Sequence, residues 1–145
     1  GGSSALSVAP GSMIQTSLIE AGGGVNAVSG VEGLGGFVDV SIEQIIAWNP
    51  DVIWFPQYAD FTADDLLNDP AWSSISAIQN KRVYEFPSKL EPWDQPTAAL
   101  ALGIDWALHN LYPDLYTLEA LMKNVDEFYT IVYDKTFTAE QLGIE

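Results

Sequence analysis

Apolar residues in this chain come in short blocks divided by glycine, proline and small polar residues, and the period changes from block to block. Ile14, Leu18 and Ala21 are spaced four then three, as on one helix face, and Gly22-Gly23-Gly24 follows, where a positive φ closes a helix at no steric cost. Ser12 is the expected N-cap of that helix. Ser41 stands three residues before Gln44, a capping-box spacing, so a second helix is expected over about 42–48. Asn49-Pro50 ends it, because the residue before proline is pushed out of the α region. The continuous apolar run Val52–Phe55 reads as a strand buried on both faces. Thr62, with Asp65 three on, starts another short helix, and Trp72, Ile75 and Ile78 mark a further helical turn. Residues 82–86 alternate as a strand, and Ala5–Ala9 is a shorter strand at the start.

The second half is helical in pattern. Pro96 is expected to open a long helix whose face carries Leu100, Ile104, Ala107, Leu108 and Leu111, with Tyr112-Pro113-Asp114 ending it. A last long helix over about 118–133 is expected to bury Leu118, Leu121, Val125, Phe128 and Val132, and Thr138–Leu142 forms a small capped turn. Strands alternating with helices predict an α/β fold with a short, mostly parallel sheet flanked by helices. In such sheets ligands sit beyond the carboxyl ends of the strands, here Pro10–Met13, Gln57–Phe61 and Pro87–Asp94.

Composition narrows the partners. The 145 residues carry 20 Asp and Glu against 5 Lys and Arg, a formal net charge of −15. Phosphate backbones are held by clustered cations, so nucleic acid is excluded as a partner, and an anionic membrane surface with it. No apolar stretch approaches the ~20 residues that span a bilayer. The start, GGSSALSV, shows no basic leader, which leaves the compartment open. With no cysteine there are no disulfides and no thiolate metal sites.

The chemistry-bearing motifs are few. The one histidine, His109, lies off the stripe of its helix with no partner in view, a packing or surface residue. The glycines from Gly22 to Gly36 match neither a P-loop nor a dinucleotide fingerprint. Asp64, Asp65 and Asp69 read as helix capping. No catalytic residue, resident cofactor or metal site is expected. The strand-end loops carry the binding candidates: Tyr58 after the second strand, and Lys89, Glu91, Trp93 and Asp94 in a proline-stiffened loop, where an amphipathic indole suits ligand contact. For Glu91 and Asp94 a plain solvated loop, and for Tyr58 plain packing, remain open readings.

One ordered set of motifs resembles a known family. Ser12–Gln15 with Glu20–Gly23, Gly24–Asn26, Val40–Ile45, Asn49–Ile53, Trp72–Tyr84 and Leu111–Asp114 are similar to the carboxyl-terminal lobe of helical-backbone periplasmic substrate-binding proteins, the receptors of ABC importers for ferric siderophores, haem, cobalamin and some oxyanions. The resemblance implies a Rossmann-like, three-layer lobe over residues 1–145, one half of a bilobal receptor, with the amino-terminal lobe and linking helix outside this sequence. It implies an extracytoplasmic protein that captures a metal chelate or a metal oxyanion without covalent chemistry and delivers it to a membrane permease. Glu43 matches the family's acidic residue that docks on the permease, with helix N-terminal charge complementarity as the other reading. Phe37 and Ser12 fall at ligand-contacting positions, beside Tyr58 and the 89–94 loop. The run FPSKLEPWD before a long helix is closer to molybdate- or tungstate-type members, where Lys89 supplies a charge-assisted hydrogen bond to an oxyanion. The alternatives from other classes are a small α/β enzyme or nucleotide-binding domain, and a partner-binding domain that uses the last two helices, for example to form a homodimer.

Overall fold

The computed structural model describes residues 2–31 and 35–144. The chain divides into two compact units, Gly1–Thr16 with Val25–Glu85, and Ser17–Gly24 with Phe86–Glu145.

The first unit is a mixed α/β body built on two short strand pairs. β1 (Ser7–Val8) pairs antiparallel with β2 (Val38–Asp39), and β3 (Ile53–Phe55) pairs parallel with β4 (Val83–Glu85) in the register Ile53 to Val83. Parallel partners need a crossover. Here it consists of α3 (Ala63–Asn68), a 3-10 turn at Pro70–Trp72, and α4 (Ser76–Gln79). The α/β class is the expected one, with a shorter sheet: the first strand leaves the parallel pair for β2, which has no alternating signal of its own in the sequence. The strand Ile53–Phe55 is also less enclosed than its apolar run suggests, since only Phe55 is fully buried. Three strand residues cannot support a sheet with helices covering both faces.

Local signals were obeyed closely. α2 (Ile42–Trp48) begins at Ser41, whose hydroxyl accepts from the Gln44 N–H, and ends at Asn49 in the left-handed region at φ 45°. Asn49 Oδ1 then accepts from the Ser76 N–H at 2.8 Å. Thr62 and Asp65 form a reciprocal capping box at α3. Ile45, Phe55, Leu66, Trp72, Ile75, Ala77, Ile78 and Val83 make the core of this unit. The Gly-rich stretch, of which Glu32, Gly33 and Leu34 lie outside the described residues, is anchored at its start by Asn26. Its Nδ2 donates to Ala9 O at 3.0 Å and to Thr16 Oγ1 at 2.7 Å, while Thr16 Oγ1 donates to Pro10 O at 3.1 Å. Ser12 is not the N-cap expected of it, because α1 (Ile14–Ala21) starts after a turn in which the Met13 N–H bonds Pro10 O.

The second unit packs α5 (Leu100–Leu111) against α6 (Leu118–Tyr133), with the carboxyl half of α1 and the short α7 (Ala139–Leu142). α5 buries a different face from the one expected, with only Ala107 in common, whereas α6 buries Leu121 and Val125 of its expected face. α5 starts at Leu100, four residues after Pro96, and buries Leu102, Gly103, Trp106, Ala107 and Asn110. Apolar residues stand on several sides of this helix, so its stripe did not define a phase; close approach at Gly103 did. A Cβ there would run into the Trp93 carbonyl oxygen and lie 3.1 Å from Leu18 Cδ1. α6 buries Leu121, Val125 and Tyr129, four residues apart, and leaves Leu118 and Val132 exposed at its two ends. Gly22 likewise lets α1 end against Ala107, and Gly23 (φ +84°) turns the chain so that its carbonyl accepts from the Tyr112 hydroxyl at 2.7 Å.

Candidate functional site

In the first unit the expected contacts are exposed or half-buried. The turn after β3 presents Tyr58, 50% exposed, beyond the strand's carboxyl end. Ser12 is exposed, and Phe37 is half-buried with its ring close to the Gly2 backbone. Glu43 is fully exposed in the first turn of α2. Its carboxyl lies below the usual range because its own backbone N–H and the Ser41 hydroxyl bond the charged form.

In the second unit the loop between β4 and α5 is closed on itself. The Trp93 N–H donates to Pro87 O at 3.1 Å, and Thr97 Oγ1 donates to Pro92 O at 3.3 Å. Trp93 does not present the ligand-facing ring expected of it. It is 1% exposed, and its indole N–H donates to the Tyr129 hydroxyl at 3.1 Å. The physical reason is the glycine opposite: with no side chain at Gly103, the loop settles onto α5 and carries its largest ring inward. Asp94 is also buried, at 5% exposure, and burial raises its pKa above the ordinary aspartate value, partly offset by hydrogen bonds from its own backbone and Gln95. As placed, neither side chain offers surface to a ligand.

Two other loop residues do face outward. Lys89 Nζ donates to Glu140 O of α7 at 3.0 Å, which uses one of its three N–H donors. Glu91 is half-buried and accepts from the Tyr133 hydroxyl at 3.4 Å. It sits on an open groove of about 240 Å³ lined by Leu90, Glu91, Tyr133, Lys135 and Phe137. Behind the groove Tyr129 stacks on Tyr133 at 5.7 Å between centroids and meets Phe137 edge-on at 5.0 Å. Burial, then the Glu91 charge, pushes the Tyr129 hydroxyl up to about 12, and Glu91 also raises Tyr133. The sequence reading missed these aromatics. Tyr129, Tyr133 and Phe137, each four apart, were the signal available.

His109 Nδ1 lies 2.8 Å from Tyr116 O, a packing role. Among the described residues no group of three or more His, Asp or Glu side chains is arranged to hold a metal ion, and no helix is long and apolar enough to cross a membrane. The side chains presented at the loop ends are the Tyr58 ring, the Glu91 carboxylate and the Lys89 ammonium.

A family model described as periplasmic binding protein matches residues 8–90. The molybdate-binding protein MolA of Haemophilus influenzae is 34% identical over 103 residues, covering 70% of this chain and 29% of MolA. MolA solved with molybdate, the cognate periplasmic binding protein of an ABC transporter, aligns over 94% of this chain and 43% of its own with a TM-score of 0.75 and 28% identity. A periplasmic solute binding protein from Veillonella parvula aligns over 97% of this chain and 44% of its own, with a TM-score of 0.83 and 27% identity. Helicobacter pylori CeuE with Ni(II) bound aligns over 97% and 45%, with a TM-score of 0.73 and 25% identity. The chain thus spans less than half the length of the proteins it matches.

Proposed function

Because this chain belongs to the periplasmic binding protein family, we propose that it is the carboxyl-terminal lobe of the solute-binding component of an ABC importer, which captures a metal-containing solute and hands it to a membrane permease. The observation that carries the reading is the alignment of nearly the whole chain with less than half of each solved receptor. The amino-terminal lobe and its linking helix then complete the receptor as intramolecular partners. The protein works outside the cytoplasm and performs no catalysis.

The cargo is a metal oxyanion or a metal chelate. MolA is a molybdate-binding protein and CeuE is solved with Ni(II) bound, and these two relatives support that class. Within the first unit, taken by itself, Tyr58, Ser12 and Phe37 are the side chains proposed for ligand contact, and within the second, taken by itself, Lys89 is. Lys89 keeps two N–H donors beyond its bond to Glu140, enough for an oxyanion oxygen. Trp93 and Asp94 support the loop from beneath. Glu43 docks on cationic side chains of the permease, a role its exposed, ionised carboxylate suits.

Titration of the two-lobe receptor with molybdate, tungstate, a ferric siderophore, haem and cobalamin, followed by intrinsic tryptophan fluorescence and calorimetry, tests the cargo class. One saturable response is expected, and silence with all five overturns the assignment. Glu43→Ala in that receptor is expected to lower transport several-fold at unchanged ligand affinity; unchanged transport removes the docking role.

A further inference from the structure

We propose that the groove formed by Leu90, Glu91, Tyr133, Lys135 and Phe137 is a binding site for a small zwitterionic amino acid with an apolar side chain, a site separate in chemistry from the metal-containing cargo. Its volume, about 240 Å³, is below the ~300–1,000 Å³ of pockets that enclose drug-sized ligands. A haem or a corrin cannot enter it; a ligand the size of phenylalanine can. The lining holds one carboxylate, one ammonium, two aromatic rings and a leucine, which is the inverse of an apolar amino acid: an ammonium for Glu91, a carboxylate for Lys135, and a side chain for Tyr133, Phe137 and Leu90.

The walls are preorganised, which lowers the ordering cost of binding. Tyr129 is fully buried at the root of the groove and fixes both rings, Tyr133 by stacking and Phe137 edge-on. Lys135 follows directly on the left-handed cap of α6 at Asp134 (φ 54°), and its N–H bonds Tyr129 O, so its backbone is pinned beside the rings. Glu91 accepts a 3.4 Å bond from the Tyr133 hydroxyl and interacts with the Tyr129 hydroxyl as well, and its two oxygens, with about four lone-pair sites, retain acceptor capacity for an incoming ammonium. Both charges on the ligand are required. A lone anion enters the field of a chain with net charge −15, and a lone amine forgoes any pairing with Lys135.

The test is ligand-observed NMR and calorimetry on the 145-residue chain with L-phenylalanine, phenethylamine and 3-phenylpropionate. Saturable binding of phenylalanine is expected, with both half-charged analogues about tenfold weaker, the scale of one charge-assisted hydrogen bond. Glu91→Gln, which keeps the shape, should weaken phenylalanine about tenfold, and Lys135→Met, at a more exposed position, about threefold. Near-UV circular dichroism that matches the parent chain shows that these variants keep the fold. No saturation by phenylalanine, equal binding of either analogue, or full affinity in Glu91→Gln overturns the proposal. These ligands are not the metal-containing solutes used to test the receptor reading, so either can fail while the other stands.

Discussion

Replacing Gly103 by alanine should destabilise this protein, although the same change in an ordinary helix does the reverse. In an exposed helix interior alanine is favoured over glycine by roughly 1 kcal/mol. At Gly103 the added Cβ would collide with the Trp93 carbonyl oxygen and stand 3.1 Å from both Trp93 C and Leu18 Cδ1. The first obstacle is backbone in a loop closed by its own hydrogen bonds, so it cannot rotate aside as a side-chain tip would. Overpacking of this kind costs about 1–3 kcal/mol, and separating α5 from the loop also uncovers the buried Trp93 ring. Set against the propensity gain, a net loss of about 1–2 kcal/mol is expected. In urea, with m about 2 kcal/mol/M, the midpoint should fall by roughly 0.5–1 M. The control is Ala101→Gly on the exposed side of the same helix, which should lose about 1 kcal/mol from propensity alone. A Gly103→Ala chain as stable as the parent, or more so, refutes the close approach and with it the placement of the Trp93 loop.

Tyr129→Phe keeps the ring contacts with Tyr133 and Phe137 and removes the acceptor for the buried Trp93 indole N–H, together with the hydroxyl's interaction with Glu91. A loss of about 1–3 kcal/mol in urea unfolding is expected, and a change under ~0.5 kcal/mol would show that the bond is not formed. Asp94 titrates higher in the folded chain than its unfolded value near 3.9, because burial disfavours its charge. Its contribution is therefore complete below the unfolded value and is lost as pH rises through the folded one. Asp94→Asn should flatten the pH dependence of stability across that window, and urea midpoints that stay parallel to those of the parent would refute the assignment.

Much of this protein follows from local sequence alone. Ser41 with Gln44, Thr62 with Asp65 and Thr138 with Gln141 mark helix starts within a few residues of backbone, and Asn49-Pro50 ends α2, so each boundary needs no distant partner. The parallel character of β3 and β4 was legible too, because helical segments between two strands are the usual crossover of a parallel pair. What escaped were properties decided between elements. β1 found its partner in a two-residue strand, too short for any periodic signal. The buried face of α5 could not be chosen from a helix with apolar residues on several sides, and a single glycine set it. Trp93 looked like a ligand contact from its neighbours in the loop. Only packing against α5 and the hydroxyl of Tyr129, 36 residues away along the chain, turned it inward and left Glu91 beside the aromatic groove at the surface.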